Sequence, residues 1–238
     1  MKLDILAIAA HPDDVELACS GTLLHHIKMG KKVGVLDLTQ GELGTRGNAT
    51  LRLQEAKKAA TILGISVRDN LGFEDAFFEK NKANQLEIIK KIRQYKPEII
   101  LCNAIQDRHP DHARASSLVS EACFYAGLIK IETILDGESQ GAWRPKAVYH
   151  YIQDRYSKPD FVIDITDYMD IKMESILSFS SQFYNPNSTE PESPISSREF
   201  LEFTKSRAAE FGRQIGVKYA EGFTVERLIG INNLFDLV

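Results

Sequence analysis

The chain has 238 residues, 43% hydrophobic and 26% charged, the make-up of an ordinary globular protein long enough for one large α/β domain, residues 1–238. Its formal charge of −4 argues against nucleic acid or an anionic membrane surface as the main partner. No stretch approaches the roughly 20 apolar residues of a membrane span, and the opening MKLDILAIAAHPDD carries Asp4 within a short apolar run, unlike a secretory signal. The three cysteines, Cys19, Cys102 and Cys123, lie in apolar company without paired spacing. They read as buried reduced thiols, which implies a cytoplasmic setting.

In chain order, LDILAIAA (Leu3–Ala10) is an apolar run of strand length, suited to a parallel strand covered on both faces. VELACSGTLLHHIKMG predicts one helix stopped by Gly30, and KVGVLDL a second strand before the glycine-rich TQGELGTRGN. Helical spacing runs from Thr50 to Leu63, a short strand follows around Val67–Leu71, and a helix is expected from about Lys82 to Tyr95. PEIILCN is the fourth strand and HARASSLVSEACFYAG the next helix. Beyond Lys130 the pattern changes to two strands, AVYHYI and FVIDIT, with helices near Asp167–Ser181 and Arg198–Gly212. The Pro-, Ser- and Asn-rich segment Tyr184–Ser197 reads as a loop or lid. Four strand–helix repeats predict an α/β fold, a Rossmann-like doubly wound and mostly parallel sheet with helices on both faces.

Two short clusters stand out, AAHPDD after strand one and DRHPDHARA after strand four. In the common strand order 3-2-1-4-5 these strands are neighbours where the winding reverses, and ligands bind beyond their carboxyl ends. Proline with adjacent acids is also an ordinary helix start. Capping does not require His11, His109 and His112, half of the six histidines, at one switch point. The other ready-made sites are missing, with no G-x-G-x-x-G after strand one, no P-loop and no G-x-S-x-G.

His11 and Asp14 lie three apart in a first helical turn, and His112 arrives from the neighbouring strand end. Two imidazoles and a carboxylate form a three-ligand set with open positions, as in a catalytic Zn2+ site, and the same set suits Fe2+. Asp13 projects differently and fits a general base. His109 could stabilise an oxyanion or protonate a leaving amine. Asp111 could orient His109, accept from a ligand's second ring nitrogen, or simply cap the helix. Metal-assisted hydrolysis of a carbonyl compound uses all these parts. A metal-dependent sugar-binding module without turnover is the alternative, against which Asp13 weighs.

AHPDD with HPDH a hundred residues on resembles the LmbE-like, or PIG-L-type, family of zinc-dependent N-deacetylases. The likeness extends through DLTQGELGTRG, LRLQEAKKAATILGI and NLGFEDAFF and resumes in SSQF and KYAEGF. The resemblance implies a Rossmann-like fold, removal of acetyl groups from N-acetylglucosamine (GlcNAc) conjugates, and a homo-oligomer, commonly a hexamer. It places metal ligands on His11, Asp14 and His112, a base on Asp13 and a catalytic histidine on His109. Substrate contacts fall on Arg52, Asp75 and Arg144. The longer blocks look most like the bacillithiol-biosynthesis branch, which acts on N-acetylglucosaminyl malate, an anionic small molecule. Deacetylation or amidase action on another GlcNAc or thiol conjugate is the alternative within the family. Some relatives carry an oxyanion-stabilising tyrosine where this chain has Phe200; Tyr184 or Tyr151 could replace it, or His109 could act without such help, and the tyrosine stays unassigned.

Overall fold

A computed structural model of the chain describes residues 1–237. The first half alternates as expected: β1 (Ile5–Ala9), α1 (Asp14–Ala18), α2 (Ser20–Lys28), β2 (Val33–Thr39), α3 (Ala49–Leu63), β3 (Val67–Phe73), α4 (Lys82–Tyr95), β4 (Ile99–Cys102) and α5 (Pro110–Ala126). A small hairpin of β5 (Ile134–Leu135) and β6 (Glu138–Ser139) precedes β7 (Ala147–Tyr151), β8 (Phe161–Asp164), α6 (Met169–Leu177), α7 (Arg198–Gln214) and β9 (Ala220–Val225).

The main sheet has seven strands in the order β3-β2-β1-β4-β7-β9-β8. β1 pairs in parallel with β2 on one side and β4 on the other, and β7 continues the parallel set. β9 then runs antiparallel to β7, and β8, antiparallel to β9 and so in the direction of β7, forms the edge of the sheet. β1 is buried along its whole length because both faces are covered. Leu6 and Ile8 face α4 and α5 through Ile88, Ile92, Leu118 and Val119, whereas Ile5, Ala7 and Ala9 face Val15, Ala18 and Leu23 of α1 and α2.

One expectation is corrected. The single helix after β1 is broken at Cys19, whose backbone leaves helical geometry at φ −140° and ψ 10°. The break turns the Gly21 and Thr22 amides towards Glu221 of β9, at 3.0 and 2.7 Å. Gly21 also packs so close to Ile165 that an added Cβ would lie 2.8 Å from it, so only glycine fits.

Candidate metal centre and active site

The two sequence clusters occupy neighbouring strand ends. Ile5 pairs with Ile99 and Ala7 with Leu101, so the loops that follow β1 and β4 emerge side by side. They are tied together by Asn103, whose Oδ1 accepts from Ala10 N at 2.9 Å and whose Nδ2 donates to Asp14 Oδ2 at 3.0 Å.

Asp14 is the hub. His11 Nδ1 lies 3.6 Å from its Oδ2 and His112 Nε2 3.1 Å from its Oδ1. The second nitrogen of each imidazole is held by another carboxylate: His112 Nδ1 by Asp107 at 2.7 Å, and His11 Nε2 by Asp75 at 3.0 Å and Asp111 at 3.2 Å. Carboxylates on the far nitrogens fix ring orientation and tautomer, as they do around metal ligands. Nitrogens of His11, His109 and His112 all lie within 4.8 Å of one another, as do ligand atoms of His11, Asp75 and Asp111. Of these two groupings, the second is already engaged by backbone amides and by Arg114, which donate to Asp75 and Asp111.

Charge follows burial and pairing. Burial alone would raise the Asp14 carboxyl, yet the charge of His112 and the bond to His11 hold it well below the usual range. Burial works against the charged imidazole of His112, but Asp14 and Asp107 raise it to about 9. Donor atoms so closely packed, with two nitrogens aimed at one carboxylate, have the chemistry of a divalent-cation site.

Asp13 is set apart from its neighbour by its backbone. It adopts φ 119°, a left-handed conformation that costs a non-glycine residue on the order of 1–3 kcal/mol. Its side chain makes no capping bond to α1; Oδ2 accepts from Arg52 Nη2 at 2.8 Å instead. Burial pushes the Asp13 carboxyl up to about 7, against the lowering effect of Arg52, which suits a base working near neutrality. Arg52 is buried and also donates to the Pro12 carbonyl and to Gln182 Oε1 at 3.2 Å. Its guanidinium therefore holds Asp13, whereas a substrate contact was expected from the resemblance. Asp75 likewise is committed to His11 and to the Leu43 and Ala76 amides.

His109 is the N-cap of α5, and its Nδ1 accepts from Asp111 N at 3.3 Å. An accepting Nδ1 leaves the proton on Nε2. Burial and the nearby His11 and His112 charges lower the His109 imidazole, favouring the neutral form. Asp111 meets His11 rather than the His109 ring, with Arg114 Nη1 on its other oxygen at 2.6 Å.

His11, Asp13, Asp14, Arg52, Asp75, His109 and His112 line one cavity of about 290 Å³. Arg144 is not among them. It precedes β7, parallel to β4, and so lies at the opposite end of the sheet, where it covers the Phe124 ring and donates to the Phe124 carbonyl. Among the described residues no tyrosine lines the cavity: Tyr151 is fully buried with its hydroxyl on the Ile8 carbonyl, Tyr184 borders a different depression, and Phe200 does line it. Asn103, Asp107, Gln153 and Gln182 escaped the sequence reading. Gln153 Nε2 donates to Asp14 Oδ1 at 2.6 Å, and Gln182 links Arg52 to the Arg46 carbonyl. The first two lie within or beside the second cluster, a signal that could have found them.

The family model for PIG-L, GlcNAc-PI de-N-acetylase, matches residues 6–123, the segment that holds both clusters. The diacetylchitobiose deacetylase of Thermococcus kodakarensis is 30% identical over 231 residues, covering 92% of this chain and 81% of that one. A Bacillus anthracis protein, "Probable N-acetyl-alpha-D-glucosaminyl L-malate deacetylase 2", is 25% identical over 75% of this chain and 81% of its own length. Among solved structures, the conserved protein TT1542 from Thermus thermophilus superposes with a TM-score of 0.83 at 33% identity, covering 97% of this chain and 98% of that one. The chain belongs to the PIG-L (GlcNAc-PI de-N-acetylase) family.

Proposed function

We propose that this protein is a divalent-metal-dependent N-deacetylase of GlcNAc conjugates, with N-acetylglucosaminyl malate as its substrate and glucosaminyl malate and acetate as products. The observation that carries this reading is one cavity in which His11 and His112 turn a nitrogen each to Asp14 while Asp13 faces away onto Arg52. The two sequence relatives named above carry the names of a diacetylchitobiose deacetylase and a probable N-acetyl-alpha-D-glucosaminyl L-malate deacetylase, which supports this reading.

His11, Asp14 and His112 are the proposed ligands, and zinc the proposed ion, with ferrous iron compatible with the same donors. A divalent ion there supplies Lewis acidity, drawing charge from the acetamide carbonyl and acidifying a water molecule. Asp13 takes the proton from the attacking water, and Arg52 keeps that carboxylate in place. His109 presents Nε2–H, a hydrogen-bond donor for the charge that develops on the carbonyl oxygen, and the protonated Asp13 returns the water's proton to the departing amine. The amide C–N bond breaks, acetate leaves, and the sugar nitrogen departs as a protonated amine.

The test is a panel of N-acetylglucosaminyl malate, N,N′-diacetylchitobiose and simple GlcNAc glycosides, with free amine and acetate measured. Turnover should vanish on chelation and return with Zn2+ or Fe2+. Release of amine from the malate conjugate in preference to the others is the expected result. Equal turnover with and without the malate removes the malate assignment, and no turnover on any member removes the deacetylase reading.

A further inference from the structure

Four arginines line the cavity, and three are matched by fixed groups. Arg52 bonds Asp13, Arg108 bonds Asp154 at 2.9 Å, and Arg207 donates to the Asp154 carbonyl at 2.8 Å. Arg46 is different. It is 5% exposed, its Nε, like that of Arg52, has no hydrogen-bond partner, and unlike the other three its guanidinium is met only by the Pro- and Ser-rich segment that follows Tyr184. Its Nη2 donates to Ser188 Oγ, and its Nε faces Glu190 Oε2 at 3.8 Å, an ion pair too long for a hydrogen bond. The other oxygen of Glu190 accepts from Gly47 N at 2.9 Å, one residue before Asn48 caps the fifteen-residue α3. Gly47 holds φ 72° there, and a Cβ on it would meet Ser181 Oγ at 2.9 Å, so the amide is presented by a backbone only glycine can supply.

The geometry points to a carboxylate-binding subsite made by the Arg46 guanidinium and the Gly47 N–H, in which Glu190 is a built-in occupant that a carboxylate on the substrate's aglycone displaces. The identity of that ligand rests on the proposed deacetylation of a GlcNAc conjugate. A purely structural latch fits the observations less well. The Glu190 side chain is 42% exposed, and an ion pair so open to solvent contributes little to stability. Meanwhile a buried guanidinium nitrogen stays unsatisfied, which a latch selected for stability would pair. Glu190 reaches in from one direction and engages only Gly47 properly. A free carboxylate, unconstrained by the strap, can bridge the amide and the Nε–H with charge-assisted bonds, at the α3 end that favours anions. Arg46 stands between the cavity that holds His11 and Asp13 and a second depression, which it lines together with Ser188 and Glu190, and its carbonyl is bonded through Gln182 to Arg52, so the subsite borders the proposed reaction centre.

The reading comes from two N-acetylglucosaminides that differ only in whether the aglycone ends in a carboxylate or its methyl ester. With wild-type protein the acid should show a KM about tenfold below that of the ester. Glu190→Ala should widen this ratio by about threefold, because the internal competitor is gone. Arg46→Gln should bring the ratio to about one. Equal KM values for acid and ester in the wild type, or a ratio that Glu190→Ala leaves unmoved, overturns the inference. Calorimetric titration with succinate reads the subsite without turnover. Succinate should bind Glu190→Ala about threefold more tightly than wild type, and equal binding to both overturns the subsite. Failure of both conjugates to react counts against the deacetylase reading alone, since the succinate titration still decides the subsite. Should Arg46→Gln fail to fold, Glu190→Ala, at an exposed position, carries the decision.

Discussion

Asp13 and Asp14 are adjacent in sequence and opposite in environment, and a backbone angle separates them. The left-handed φ of Asp13 turns one carboxylate onto Arg52 while its neighbour faces two imidazoles. Burial keeps the Asp13 carboxyl near 7, whereas the charge of His112 and the bond to His11 overcome burial and hold the Asp14 carboxyl well below the usual range. Asp13→Asn should therefore cut turnover by roughly 100- to 10,000-fold while bound metal, measured by elemental analysis, stays at the wild-type level. Retention of more than about a tenth of the rate would remove Asp13 as the base. In the metal-free protein the same carboxyl, followed by carbon-13 NMR, should titrate near 7, and the signal should be missing from Asp13→Asn. The gathering of His11, Asp14, His109 and His112 into one cavity was legible because histidines beside acids recurred at two predicted strand ends. Asn103, Gln153 and Gln182 were not, since a lone amide side chain carries no periodicity and gains meaning only from what the fold sets against it. Arg144 misled for the complementary reason: charge is visible in a sequence, but the end of the sheet it serves depends on the direction of β7.

At the level of elements, the parallel half of the sheet could be read because its strands are apolar runs separated by helical periods, a pattern that fits little else. The antiparallel direction of β9 could not, because strand length and composition do not encode polarity, and β9 pairs between β7 and β8 against chain order. Polar residues on strands carry a second kind of information. Asp69 of β3 accepts from Lys91 at 2.7 Å and from Tyr95 at 2.6 Å, both on α4, and so pins that helix to the sheet. Burial pushes the Asp69 carboxyl up, but these two donors outweigh it and the net shift is downward. A depressed carboxyl stabilises the fold above its unfolded pKa of about 3.9 and loses that contribution as pH falls through its folded value. Asp69→Asn should thus lower stability by about 1 kcal/mol at pH 7. The difference should close in acid below about pH 3, as followed by urea denaturation at each pH. A gap that persists unchanged into acid would show that packing, and not charge, makes the contact matter.

Across the whole molecule, the early residues that line the cavity are held by residues from far later in the chain. α1 carries Asp14 and has only five residues, too short to keep its place alone. Two buried cations clamp it. Arg68 of β3 donates to Glu16 at 2.6 Å and to Asp37 at 2.8 Å, while Lys172 of α6 donates to the Glu16 and Leu17 carbonyls at 3.0 and 2.8 Å. Lys172 also pairs at 2.7 Å with Glu221, which is buried and in turn accepts from the first amides of α2. Removing one partner of such a pair leaves an uncompensated charge in the interior, so Lys172→Met should cost about 3–5 kcal/mol in denaturant unfolding. Because the same ammonium holds the α1 carbonyls, the variant should also bind metal more weakly than wild type at a temperature where both are folded. Lys172→Met with Glu221→Gln should recover part of the stability, since the stranded charge is gone while the amide oxygen still accepts from one of the Gly21 and Thr22 amides. It should not recover the metal affinity, because nothing in the double variant replaces the donor to Glu16 and Leu17. A single variant that costs less than about 1 kcal/mol, or a double variant no better than the single, would mean that the ion pair is not what anchors α1.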